Sequence, residues 1–166
     1  TVSPKAVGSF YVRSYNRTYL NDVVRRFFNV MNGAALMTDT RVEVHLDKEV
    51  DSKIPVISLN DFLMQNAKVV QAPEMKPARE KTGSTDFGNV MYKVPGSCIR
   101  VHFVPDGTSS HTQEYLDAGK SKAAYEALLV GAKIIAGTCY DLLEEDGALE
   151  RVKSEFQRNV AESLKV

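Results

Sequence analysis

Apolar residues recur at helical spacing in four stretches of this chain and alternate with polar residues in three others. The first helical stripe holds Leu20, Val24, Phe27, Met31 and Ala34 or Ala35, widened by Val23 and Phe28. Thr18 is placed to cap it, and the pattern runs to about Met37. Ser58 can cap a second helix through about Val70, with Leu59, Phe62, Leu63 and Ala67 on its apolar side. Ser121 can cap a long helix to about Glu144, and Gly147 separates it from a last one carrying Leu149, Val152, Phe156, Val160 and Leu164. Asp86 to Tyr92 reads as a short turn or helix.

The alternating stretches are residues 6–14, 40–46 and 98–104, rich in Val, Phe and other β-formers. The first two flank the first helix and predict a β-α-β unit. Such a unit leaves one sheet face in need of a partner, and a second copy would complete a ferredoxin-like sandwich. Asp47 to Pro55 is charged and then breaks, which places a boundary there. Residues 1–50 and 51–166 are expected as two units, and the fold class as α/β. Ala72 to Thr82, with two prolines and alternating charges, reads as a linker. Pro95-Gly96 and Pro105 to Ser110 read as a turn and a loop.

Composition changes this picture little. The 166 residues are 43% hydrophobic and 25% charged, with formal net charge zero. Neutral balance argues against nucleic acid and anionic membranes as partners. Arg25-Arg26 reads as a solvated helix face. No apolar run reaches the roughly 20 residues that span a bilayer. No secretory pattern opens the chain, and Cys98 and Cys139 read as reduced packing residues, so a cytoplasmic protein is expected. The opening Thr1-Val2-Ser3-Pro4 runs almost directly into a strand pattern, which reads as a truncated or processed polypeptide.

Two segments carry candidate chemistry. Gly83-Ser84-Thr85-Asp86-Phe87-Gly88-Asn89 is a small-residue loop with one carboxylate. Ser84, Thr85 and Asp86 are good helix caps, and a helix start can equally hold a carboxylate or a developing oxyanion. Gly83 and Gly88 would let the backbone approach a ligand closely. The second segment is Ser110-His111-Thr112-Gln113-Glu114-Tyr115. His111 lies in a polar turn before a helix, where a histidine serves either as a metal ligand or as a backbone-bonded turn residue. His102, in the third alternating stretch, is placed to support such a ligand from behind. His45 reads as a strand residue. Arg13 ends an apolar stretch, where it either clamps a substrate carboxylate or points into solvent. No nucleophile elbow, phosphate loop or dinucleotide fingerprint is present.

The order of these motifs resembles the C-terminal half of the dinuclear zinc metallopeptidase and amidohydrolase family, which includes carboxypeptidase G, aminoacylase and aminobenzoyl-glutamate hydrolase. The residues that carry the resemblance are YVRS, GAAL, Asn60 on the second helix, GSTDFGNV, the VPG turn and SHTQEY. It implies half of a ferredoxin-like lid, which often dimerises, followed by the return into a catalytic domain. It matches His111 to a metal ligand, Gly83, Ser84, Thr85 and Asp86 to a substrate-lining loop, and Arg13 to a contact with the substrate carboxylate. The family uses two zinc ions, and a glutamate general base, to hydrolyse an N-acyl amino acid, an aminobenzoyl-glutamate-like amide or a dipeptide. That glutamate and the other metal ligands belong to a missing N-terminal half, so no catalytic residue is expected in this chain, and the chain alone is expected to be inactive. The alternative is a non-catalytic module kept for dimerisation or ligand binding.

Overall fold

The computed structural model describes residues 1–77 and 83–165. Its regular structure is helical throughout: α1 (Arg17–Met37), α2 (Ile57–Val69), α3 (Phe87–Met91), α4 (Gln113–Ala118), α5 (Lys122–Glu144) and α6 (Ala148–Ser163). Of the expected linker 72–82, residues 78–82 lie outside the described residues.

The α/β expectation is overturned. Among the described residues there is no strand and no sheet, so the ferredoxin-like β-α-β half does not form. In the second and third stretches the alternation itself survives. Val42 and Val44 are half-buried between exposed neighbours, and Ile99, Val101 and Phe103 are half-buried between exposed Cys98, Arg100 and His102. Alternation records which side of a stretch meets the protein. A strand also needs a neighbouring backbone to satisfy its N–H and C=O groups, and no such ladder forms here.

The core sits where α2, α5 and α6 meet. Val56, Phe62, Ala148 and Val152 form one cluster, with Leu59, Leu142 and Phe156 packed against it. Leu63, Ala67 and Ile134 form the second, edged by Val70, Ile99 and Val130. Asn66 crosses between α2 and α5. Its amide donates to the Phe62 carbonyl at 3.0 Å and to Asp141 Oδ2 at 2.6 Å. Gly137 makes room for it: a Cβ there would lie 2.1 Å from Asn66 Oδ1.

Helix ends follow local and distant rules. Ser121 caps α5 as expected, its hydroxyl accepting from Ala124 N–H at 3.1 Å. α1 begins before Thr18 because the Asn16 side chain accepts from Tyr19 N–H. The cap position of α2 is held by Val56, which has no capping side chain. Glu155 on α6 takes that role, accepting from Ile57 N–H at 2.7 Å and Ser58 N–H at 2.9 Å. Gly147 takes the left-handed conformation, φ +74°, between α5 and α6.

α1 stands apart, with no buried residue. It is held by the Phe10–Phe27 ring contact at 5.3 Å, by Thr18 Oγ1 donating to the Ser163 carbonyl at 3.2 Å, and by Arg17. Arg17 pairs with Glu49 at 2.5 Å and Asp51 at 3.3 Å.

Candidate functional site

The GSTDFGN segment is built against the chain that leads out of the first fifty residues. Asn89 grips that chain with both ends of its amide: Asp51 N–H donates to Asn89 Oδ1 at 2.8 Å, and Asn89 Nδ2 donates to the Glu49 carbonyl at 3.2 Å. Gly88 is buried beside the same stretch, and a Cβ on it would lie 2.1 Å from the Asp51 carbonyl oxygen. Tyr92 adds a hydroxyl contact to Ser52 at 3.1 Å. The close approach expected of Gly88 is therefore to the chain's own backbone. No sequence pattern announces this, because the partner residues lie 37 to 40 positions upstream.

Ahead of that anchor the loop is open. Gly83, Ser84 and Asp86 are exposed and Thr85 is half-buried. Asp86 occupies the cap position of α3 without making a side-chain capping bond. Thr85 Oγ1 instead accepts from Phe87 N–H at 3.3 Å. α3 has five residues, too few to sum into a useful helix dipole.

His111 occupies the turn before α4. Its backbone is left-handed, φ +67°, and the residue is exposed. Thr112 fixes the turn from both sides, accepting from Tyr115 N–H at 3.3 Å and donating to the Ser109 carbonyl at 2.9 Å. Tyr115 packs edge-on against Phe103, ring centroids 5.0 Å apart, so the turn is tied to the residue that follows His102. His102 points to Asp106, Nε2 to Oδ1 at 3.7 Å, on the surface. Lys76 hydrogen-bonds both Asp106 oxygens at 3.1 Å. That ammonium holds the Asp106 carboxyl below its usual range, partial desolvation opposes it, and His102 adds to the lowering. Arg13 is exposed and stacks over the Tyr11 ring at 5.5 Å.

No hydrogen bond or ion pair among the described residues joins Arg13, the 83–86 loop and His111 to one another. His102 lines a shallow cleft of about 370 Å³ with Glu74 and Asp106. A larger open cleft of about 560 Å³, between α2 and α6, contains none of the expected site residues. Among the described residues no group of three His, Cys, Asp or Glu is placed to hold a metal ion. His111 offers one ligand, whereas a catalytic zinc takes about three from protein. The residues present thus do not by themselves fit a metal centre.

No protein-family model matches the chain. Curated proteins do. The chain is 29% identical over 158 residues to Xaa-Arg dipeptidase of Mus musculus, and 27% identical over 157 residues to Xaa-Arg dipeptidase of Homo sapiens. Each match covers 92% of this chain and 36% of the relative. It is 23% identical over 218 residues to a subunit of the p-aminobenzoyl-glutamate hydrolase of Escherichia coli (strain K12), across 95% of this chain and 45% of the relative. The chain thus spans less than half the length of these relatives. Over more than nine tenths of its own length the chain is thus similar, at modest identity, to proteins named as a dipeptidase and as a subunit of a p-aminobenzoyl-glutamate hydrolase.

Proposed function

We propose that this chain forms the C-terminal part of a metal-dependent amide hydrolase acting on a dipeptide, an N-acyl amino acid or an aminobenzoyl-glutamate-like substrate. The observation that carries the reading is the similarity to a dipeptidase and a hydrolase subunit across nearly the whole chain. The conformation of His111 is consistent with it. A non-glycine residue in the left-handed region costs energy, and such residues concentrate at functional sites. Thr112 and Tyr115 hold the imidazole-bearing turn at the surface, where ligands from other parts of the protein can reach it.

In this reading His111 supplies one ligand of a zinc site whose remaining ligands and general-base glutamate lie outside the chain. Gly83, Ser84, Thr85 and Asp86 line the substrate side, Arg13 faces the substrate carboxylate, and His102 supports the His111 turn. Two metal ions, a homodimer formed through the N-terminal unit and a cytoplasmic location belong to the same proposal. Residues 1–166 alone are inactive.

The test is made in the polypeptide that carries this chain together with the residues preceding it. Its hydrolysis of p-aminobenzoyl-glutamate and of Xaa-Arg dipeptides is measured beside its metal content. His111→Ala is expected to lower bound metal and to reduce turnover by at least about a hundredfold. Unchanged metal content and turnover would remove the ligand assignment. No amide hydrolysis by the unaltered protein, with zinc supplied, would favour the non-catalytic module.

A further inference from the structure

α5 is apolar on two opposite faces. Its inner face packs on α2 through Ile134, which is 2% exposed, and Thr138, which is 4% exposed. On the outer face Tyr125, Leu128, Leu129, Ile135, Tyr140 and Leu143 are each between 54% and 81% exposed. Ala132, Ala136 and Cys139 fill the positions between them and are exposed as well. At 3.6 residues per turn this outer stripe is about 140° wide and about 27 Å long. It contains no charged side chain. Lys122, Glu126, Lys133 and Glu144 fall along one border.

A helix that faces water on one side carries polar residues there, and a helix apolar all round is an interior helix. Continuous exposed apolar surface on this scale marks an interface. Charge gives no basis for an ionic partner, because the stripe is uncharged along its length. What covers it is indicated by the relatives: this chain spans 36% to 45% of their length, so more than half of a protein of that size lies outside it.

We infer that the outer face of α5 is an internal surface of a longer polypeptide, covered by an uncharged aliphatic and aromatic layer contributed by the residues that precede this chain. The inference rests on the reading that the chain is one part of a longer hydrolase. It makes α5 the middle layer of that protein, with α2 on one side and the preceding residues on the other.

Cys139 lies within the stripe and is exposed in this chain, so its thiol reports on the cover. Cys98→Ser leaves Cys139 as the single thiol among the residues of this chain, and any cysteine upstream is replaced by serine. The reaction of Cys139 with a soluble disulfide reagent is then timed in the longer polypeptide and in residues 1–166. Protection of at least about a hundredfold in the longer polypeptide, independent of protein concentration, is the expected result. Leu129→Glu in the longer polypeptide should restore the reaction. Two results overturn the inference: equal reactivity in both proteins, or protection that disappears on dilution, which would assign the face to a second copy. Activity is not the readout. A protected Cys139 in a protein without hydrolase activity leaves this surface standing and removes the proposed function, while hydrolysis with an open Cys139 does the reverse.

Discussion

At Gly88 a single methyl group separates two roles for one motif. Read along the sequence, a glycine in GSTDFGN invites a ligand to approach the backbone. In the fold the space is already taken, since an added Cβ would lie 2.1 Å from the Asp51 carbonyl oxygen. A backbone carbonyl cannot swing away as a side-chain tip can, and Asn89 fixes the stretch leading into this one by bonding the Asp51 N–H and the Glu49 carbonyl. Gly88→Ala is therefore expected to cost about 3 kcal/mol of stability, at the upper end for overpacking. Gly33, inside α1 with open space where a Cβ would stand, gives the opposite expectation. Gly33→Ala should gain about 0.5 to 1 kcal/mol from helix propensity alone. Urea unfolding of the two variants checks both signs, and a neutral Gly88→Ala would show that the segment is not packed on residues 49–52. The motif is legible as a motif. Its anchoring role is not, because a close approach between residues 37 apart leaves no local pattern.

At the scale of the element, what can be read depends on where each helix end finds its partners. Ser121 and Gly147 act within their own neighbourhood, and both stand where the sequence puts them. Ser58 marks the start of α2 in the sequence, yet the first N–H groups are met by Glu155, almost a hundred residues later. Burial disfavours the charge on Glu155. The Ser58 side chain, the N–H groups of Ser58 and Ile57 and the nearby Arg158 together outweigh that cost. The folded carboxyl thus titrates below its ordinary range. With the folded value below the unfolded one, the stabilisation is complete above the ordinary glutamate pKa of about 4.3 and is lost as pH falls through the folded value. Glu155→Gln keeps the shape and removes the charge. It should cost about 1 kcal/mol near neutrality, the usual worth of a cap. The gap between the two proteins should narrow towards zero in acid. A gap independent of pH would mean that the charge at the start of α2 contributes nothing.

Across the whole molecule, the four long helices are legible and the three expected strands are not, for one physical reason. A helix satisfies its backbone within itself, so its amphipathic stripe is enough to specify it. A strand is specified by a neighbour, and the alternation at residues 40–46 and 98–104 names a buried side without naming that neighbour. The candidate site divides in the same way. The His111 turn is made locally, and Thr112 builds it. Whatever would join His111 to Arg13 and the 83–86 loop is not local, and no hydrogen bond or ion pair among the described residues supplies it. The same distinction predicts how stability is distributed. α1 has 21 residues and a full internal ladder, yet none of its residues is buried, whereas α2, α5 and α6 share both core clusters. Tertiary packing of an apolar face, more than helix propensity, provides most helix stability in proteins. In native-state hydrogen exchange on this chain, amides at the centres of α2 and α5 should open only with global unfolding. Those of α1 should open locally, at a free energy lower by at least about 2 kcal/mol. The links made by Arg17 and Thr18 should leave the second turn of α1, whose amides bond back to the first, slower than its last. Protection of α1 equal to that of α5 would mean that the first fifty residues belong to the same cooperative unit as the helical core.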